Sequence, residues 1–210
     1  MKSLTNQSDN SDYNINFLIG INWLFKSDYE QAIQFFLVAI VETDPSNEHY
    51  SVYQSYAGLS SVLLRQLGGM HHCYHSSKLT LPVKPEVWIN LACAEFMSGN
   101  RERAMKALDH IDASELSTSM TKEIDCFFEM VGIREKDAIS FLNRDNILNK
   151  FMGQPLRKKP VEIAQVEVFI RETAIKRYKN AMLKIHRQRF KESPKIAVQN
   201  STDTPDSKAE

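Results

Sequence analysis

The best candidate for metal chemistry in this sequence is the run His71-His72-Cys73-Tyr74-His75. His71 and His75 are one helical turn apart and could share a face, which is the geometry that two metal ligands need. Cys73, however, falls on a position that we predict to be buried, so it points away from both histidines. No further carboxylate or histidine follows at ligand spacing. We therefore interpret the run as a partly exposed helix surface and predict no metal site.

The remaining candidates for catalysis are equally weak. Cys93 and Cys126 lie among apolar neighbours in predicted helices, where a thiol behaves as a small hydrophobic group. The chain has no phosphate-binding glycine loop, no Gly-x-Ser-x-Gly turn and no pair of carboxylates in a recognisable catalytic frame. The sequence thus predicts a protein that is not an enzyme and needs no cofactor.

The composition is that of a soluble globular chain. Its 210 residues are 42% hydrophobic and 25% charged, and no apolar run approaches the ~20 residues of a membrane span. The start of the chain lacks the basic-then-apolar order of a secretory signal. Three cysteines, an odd number, fit a reducing compartment better than a disulfide framework. We expect a cytoplasmic protein.

The formal net charge is zero, but the charges are separated along the chain. Residues 1–149 carry 12 Lys and Arg against 19 Asp and Glu, whereas residues 150–195 carry 13 against 4. An acidic body joined to a basic segment can attract either itself or an outside polyanion. Both interpretations stay open at this level.

Residues 85–111 show how the chain is organised. Apolar side chains recur at steps of three or four residues on both sides of Gly99-Asn100, a pair that tolerates the left-handed conformation of a helix end. The periodic positions are Trp88, Leu91, Ala92 and Phe96, then Ala104, Ala107, Leu108 and Ile111. This pattern predicts two short helices that fold against each other.

The same pattern occurs twice before. Gly20 and Gly58 stand where two helices must approach closely, and Ser27-Asp28 and Gly68-Gly69 mark the turns. Three extra residues between Gly58 and Gly68 predict that the first helix of this unit is extended by most of a turn. The markers Ser27, Gly68, Gly99 and Gly132 are 41, 31 and 33 residues apart.

These units resemble tetratricopeptide repeats, whose period is about 34 residues. The resemblance implies an all-α solenoid of helical hairpins over residues 13–150, with about three repeats and a degenerate fourth that acts as a cap. Residues 1–12 and 193–210 are polar and predict a disordered arm and tail. Residues 151–192 predict a linker and a long basic amphipathic helix that caps the solenoid. Its apolar stripe is Ile163, Val166, Ile170, Ala174, Tyr178, Ala181 and Ile185.

The resemblance also implies that the first helix of each unit lines a concave groove. The predicted lining residues are Phe17, Ile21, Leu24, Phe25, Leu59, Val62, Leu63, Ile89, Cys93, Phe96 and Met97. Val52, Ser55 and Glu86 fall on the same face. The lining is overwhelmingly apolar and lacks the Lys and Asn side chains with which some repeats of this family hold a chaperone's carboxylate terminus.

We therefore expect a scaffold for protein–protein interaction that binds an apolar or helical peptide segment, with a chaperone-like role. Over residues 13–131 the plan is similar to the tetratricopeptide chaperones of type III secretion translocators. Three explanations of the apolar groove stay open: it is narrow and packed on itself, the C-terminal helix fills it, or a partner fills it. A second copy of the chain, in a homo-oligomer, is a further expected kind of partner.

The alternative prediction is an adaptor that binds nucleic acid or an anionic membrane surface through its basic C-terminal segment. The predicted basic surface comprises Arg157, Lys158, Lys159, Arg171, Lys176, Arg177, Lys179, Lys184, Arg187 and Arg189. Aromatic residues suited to base stacking are sparse in this segment.

Overall fold

The computed structural model describes residues 13–66, 68–79, 83–112, 114, 116–130 and 163–192, with the side chains of residues 186 and 188–192 excepted. Within these ranges the chain forms eight helices and no strand, which confirms the all-α prediction for them. The helices are α1 (Ile15–Phe25), α2 (Tyr29–Glu42), α3 (Tyr50–Leu63), α4 (Gly69–Ser77), α5 (Pro85–Met97), α6 (Arg101–Leu108), α7 (Thr118–Met130) and α8 (Ile163–Glu192).

Several sequence predictions fall outside the described residues. These are the disordered arm (1–12), the second half of the degenerate fourth unit with Gly132, the basic triplet at 157–159 and the disordered tail (193–210).

Each of the first five helices packs against the helix that follows it, and α3 also packs against α5. The local signals are those expected from the sequence. Asp28 begins α2 by accepting the backbone N–H of Gln31 at 3.1 Å. Pro85 opens α5, where a missing N–H costs nothing.

Glycine sets how closely two of these pairs approach. A Cβ at Gly20 would lie 2.5 Å from the Phe36 ring, and one at Gly58 would lie 2.6 Å from Cys73 Sγ and 2.7 Å from its backbone nitrogen. All three distances are too short for a Cβ unless the neighbouring atoms move. The predicted close approach at Gly20 and Gly58 is therefore present.

The turns inside the three helix pairs repeat one hydrogen-bonding pattern. Ser27, Arg65 and Gly99 each adopt a positive φ, of 65°, 57° and 82°. The next residue donates its N–H to the carbonyl five positions earlier: Asp28 to Trp23 (3.1 Å), Gln66 to Ser61 (2.9 Å) and Asn100 to Glu95 (2.8 Å). This arrangement satisfies the last carbonyls of each first helix.

The repeated turn corrects two predictions about the second unit. The residue equivalent to Ser27 is Arg65 and not Gly68. The separation from Ser27 to Arg65 is therefore 38 residues, and that from Arg65 to Gly99 is 34 residues. The first helix of this unit is also not extended, because α3 ends five residues after Gly58, just as α1 ends five residues after Gly20. The additional residues lie in the connection, which spans 64–68 between α3 and α4 but 98–100 between α5 and α6.

Helix α8 returns across the molecule and packs against α1, α5 and α7. It contributes to both buried clusters of the core. Ala174 and Tyr178 join the cluster of α1, α2 and α3, while Val166 and Ile170 join that of α5, α6 and α7. None of the described helices combines the length and apolarity needed to cross a bilayer.

Candidate helix-binding face

The surface that α8 covers is built mainly from α1, α3, α5 and α7. We call it the helix-binding face, meaning the side chains of α1, α3, α5 and α7 that lie against α8 or share its buried clusters. Aromatic rings of α8 contact it at two places: the Tyr178 ring meets Phe17 edge-on at 4.8 Å between centroids, and the Phe169 ring lies 6.3 Å from that of Phe127. Together these four helices present one continuous surface to α8.

Most of the predicted groove residues are buried in this region. Phe17, Ile21, Leu24 and Leu59 are 0% exposed, and Ile89 and Cys93 are 2% exposed. The first three share a cluster with Ala174 and Tyr178 of α8, and the others share a cluster with Val166 and Ile170. These side chains are therefore not open to solvent while α8 is in place.

The other predicted groove residues lie at the margin of the face. Phe25 is 43% exposed, and Phe96 is half-buried, 6.0 Å from the Phe127 ring. Val62, Leu63 and Met97 line a cleft of about 490 Å³ beside the start of α8. Its other lining residues are Arg65, Gln66, Gly68, Met70, Ser98, Ile163 and Glu167.

A cluster of charged and hydroxyl groups lies in the middle of the buried contact. Glu86 of α5 accepts hydrogen bonds from Tyr56 of α3 (2.7 Å), from Tyr178 of α8 (2.7 Å to each carboxylate oxygen) and from Arg177 Nη1 (3.0 Å). Arg177 also donates from Nε to Glu123 Oε2 of α7 at 2.8 Å, from Nη2 to the same oxygen, and from Nη1 to the Tyr56 hydroxyl at 3.1 Å. One arginine of α8 thus links α3, α5 and α7.

The burial of this cluster determines its electrostatics. The side chains of Arg177, Glu86 and Glu123 are only 10%, 11% and 10% exposed. Burial opposes the charge on Arg177, but Tyr56 and the two carboxylates outweigh it and hold the pKa of Arg177 well above its usual value. Burial, followed by the charge of Glu86, raises the pKa of Tyr56 and of Tyr178 well above 10.0. The arginine stays charged and both tyrosines stay neutral.

Two contacts fix α8 nearer its start. The Tyr29 hydroxyl of α2 donates to Glu167, and burial together with this carboxylate raises the pKa of Tyr29 to about 12. Arg171 donates to the Ser27 hydroxyl and, at 3.5 Å, to the Phe25 carbonyl, in the turn between α1 and α2. The turn with the positive φ at Ser27 is thereby tied to α8.

The predicted basic surface is divided by this arrangement. The side chain of Arg177 faces the body of the protein and is only 10% exposed, which corrects its assignment to the surface. Arg171 is half-buried in its contact with the α1–α2 turn. The exposed members are Lys176, Lys179, Lys184 and Arg187. Arg157, Lys158 and Lys159 lie outside the described residues, as does the side chain of Arg189.

The histidine run does not assemble a ligand set. The rings of His71 and His75 are 6.4 Å apart between centroids, and His75 Nδ1 lies 3.1 Å from Gln54 Oε1. Across the described residues, no three His, Cys, Asp or Glu side chains meet at metal-binding distances. Cys73 is fully buried against Gly58, and burial raises the pKa of both its thiol and that of Cys93, the latter to about 12.

Sequence reasoning missed the polar cluster. It placed Glu86 on the groove face but gave no role to Tyr56 or Glu123, and it assigned Arg177 to solvent. One signal was available, because Arg177 stands beside Tyr178 on the apolar stripe of α8. An arginine at the edge of such a stripe can turn inward when a carboxylate faces it.

Comparison of the chain with protein-family models, with curated proteins and with solved structures found no match.

Proposed function

We propose that this protein is a non-enzymatic interaction scaffold of tetratricopeptide-like repeats that binds an apolar helical segment on its helix-binding face. The observation that carries the proposal is α8 itself. This amphipathic helix buries Val166, Ile170 and Ala174, which are 0%, 3% and 1% exposed, against helices from every unit of the body. A surface that holds one helix in this way has the shape to hold another.

On this proposal, α8 is an intramolecular ligand that occupies the helix-binding face in the free protein. A segment in the same chain acts at an effective concentration in the millimolar range, far above that of most partners in a cell. A partner helix therefore meets a closed face and gains access when α8 is released. Of the three explanations of the apolar groove, this proposal favours the one in which the C-terminal helix fills it. Filling by a partner is then the state in which the protein performs its function.

Two further observations support the repeat interpretation. The turns at Ser27, Arg65 and Gly99 share one hydrogen-bonding pattern, and glycine sets the helix approach in the first two pairs. We extend the proposal to a chaperone-like role in the cytoplasm, in which the face shields an apolar segment of another protein. Fully buried, unpaired Cys73 and Cys93 are consistent with a reducing compartment.

The test uses a substitution in α8 that exposes the helix-binding face and leaves the residues of that face unchanged. Ala174 lies on the side of α8 that is buried against the body, so Ala174→Glu places a carboxylate in an apolar contact and weakens the docking of α8. The probe is a fluorescent peptide of residues 163–185, measured by anisotropy against the full-length chain. We expect saturable binding at micromolar concentrations to Ala174→Glu and binding at least about tenfold weaker to the parent chain.

The matched control is Asn180→Glu, which adds the same side chain to the exposed side of α8. It should behave as the parent chain does. Far-ultraviolet circular dichroism checks that the body of Ala174→Glu keeps its helices. A folded Ala174→Glu chain that captures no more peptide than the parent would contradict the proposal.

The second candidate, an adaptor for nucleic acid or an anionic membrane, rests on the exposed row of Lys176, Lys179, Lys184 and Arg187. This second candidate is weakened because Arg171 and Arg177 face the body of the protein and are not part of this exposed row. It predicts binding of single-stranded nucleic acid or anionic vesicles that falls steeply as salt is added. No binding at low salt would remove it.

A further inference from the structure

The helix-binding face carries two carboxylates in an otherwise apolar setting. Apart from α8, Glu86 has one hydrogen-bonding partner in this cluster, Tyr56, and both hydrogen bonds drawn from Arg177 to Glu123 come from α8. When α8 leaves, the face therefore exposes two acidic groups at its centre. Any helix that replaces α8 without a cation of its own would bury them unpaired, which is strongly unfavourable.

The positions of these carboxylates select a particular cation. Arg177 donates to Glu123 from Nε and Nη2 and to Glu86 and Tyr56 from Nη1. All three nitrogens of one planar guanidinium group are therefore used. A lysine ammonium is a compact point charge and cannot span two acceptors in this way. The adjoining Tyr178 hydroxyl supplies the third donor to Glu86.

We propose, on the basis of the function proposed above, that Glu86 and Glu123 form an arginine-selective pocket and that the partner of this face is an amphipathic helix carrying an Arg-Tyr pair. The apolar residues of α8 that share the core clusters set the register of that helix. Counting back from the arginine, apolar residues stand three, seven, eight and eleven positions earlier, as Ala174, Ile170, Phe169 and Val166 do. The partner is thus recognised by charge and spacing together.

The experiment varies the peptide, so that folding of the receptor is not in question. The receptor is full-length Ala174→Glu, and the probes are the peptide of residues 163–185 and its variants at the arginine equivalent to Arg177. We expect the Arg→Lys peptide to bind about tenfold more weakly and the Arg→Met peptide about 100-fold more weakly. A peptide with Met at the position of Lys179, which is exposed on α8, loses the same charge and should bind within about twofold of the parent.

A second receptor, Ala174→Glu with Glu123→Leu, tests the origin of the selectivity. With one carboxylate removed, the difference between the Arg and Met peptides should shrink by about tenfold or more. Equal binding of the Arg, Lys and Met peptides to the first receptor would overturn the arginine pocket and leave the proposed function standing. Undiminished selectivity in the second receptor would also overturn it, and failure of every peptide to bind would remove the proposed function as well.

Discussion

Within the α1–α2 and α3–α4 pairs the helices approach closely at a glycine, whereas the apolar contact of α8 with the other helices encloses a buried group of charged and hydroxyl side chains. Gly20 and Gly58 contact residues 16 and 15 positions later in the chain. The hydrogen bonds of Arg177 reach partners 54, 91 and 121 positions earlier. The first contact depends on shape and is local; the second depends on charge and brings distant parts of the chain together.

The difference bears on how each contact responds to change. A glycine contact is disrupted when a side chain is added: at Gly20 the Phe36 ring would have to move, and at Gly58 the added carbon would meet backbone atoms, which cannot move aside cheaply. A buried ion cluster is lost when one member is removed, yet its removal as a whole can cost little, since the desolvation penalty disappears with it. The two kinds of contact are therefore expected to respond differently to substitution.

The largest effect is expected from Arg177→Met. This change leaves Glu86 and Glu123 buried without their cation and should lower the free energy of unfolding by about 3–5 kcal/mol. Urea denaturation measures it, with Lys179→Met as an exposed control that should stay within about 0.5 kcal/mol of the parent. The triple change Arg177→Met, Glu86→Gln and Glu123→Gln should recover part of the loss. If Arg177→Met and Lys179→Met are equally stable, the cluster does not hold α8.

Gly58→Ala should have the next largest effect. Its Cβ would lie 2.7 Å from the Cys73 nitrogen and 2.8 Å from the Gly69 carbonyl oxygen, and backbone atoms cannot move aside cheaply. We expect a loss of roughly 2–3 kcal/mol, even though alanine favours a helix. Gly68→Ala is the matched comparison, since its φ is 97° but no atom lies within 4 Å of the added carbon. A smaller cost at Gly58 than at Gly68 would show that packing is not what the glycine provides.

Alkaline pH should weaken the α8 contact before the helix pairs. The folded chain holds Tyr56 and Tyr178 neutral with pKa values well above 10.0, while the unfolded chain releases those protons near 10.0. Their contribution to stability is therefore complete below about pH 10 and falls as the pH rises beyond it. Absorbance of tyrosinate near 295 nm, followed together with the helical signal, should show late ionisation coupled to loss of structure. Tyr178→Phe should make the dependence of stability on pH shallower in this range; an unchanged slope would contradict the assignment.

The smallest effect concerns the turn of the second unit. Arg65 adopts a φ of 57°, whereas the equivalent residue of the third unit is Gly99. Arg65→Gly should therefore raise the free energy of unfolding by roughly 0.5–1 kcal/mol, and Gly99→Ala should lower it by a similar amount. Thermal unfolding compares the two variants. Destabilisation by Arg65→Gly would mean that the arginine side chain, and not its backbone, decides this turn.

Much of the local structure could be predicted from the sequence because its causes lie close together in the chain. The helices, the cap at Asp28 and the close approaches at Gly20 and Gly58 follow from residue type and spacing over one or two turns. The turn of the second unit, which was predicted at the wrong residue, shows where prediction from residue type fails. Gly68 marks the predicted turn and does adopt a φ of 97°, yet the repeated hydrogen bonds place the equivalent of Ser27 at Arg65, a residue type that gives no such signal.

For the residues that the structure describes, the sequence by itself determined that they form helices, with an apolar face and an amphipathic C-terminal helix. The tertiary structure decided that α8 lies on that face and that Arg177 turns inward to Glu86 and Glu123. The physical reason is that periodicity reports which side chains share a surface, but a charged residue on a helix is stable either in water or beside an opposite charge. Only the approach of α5 and α7 to α8 decides between the two.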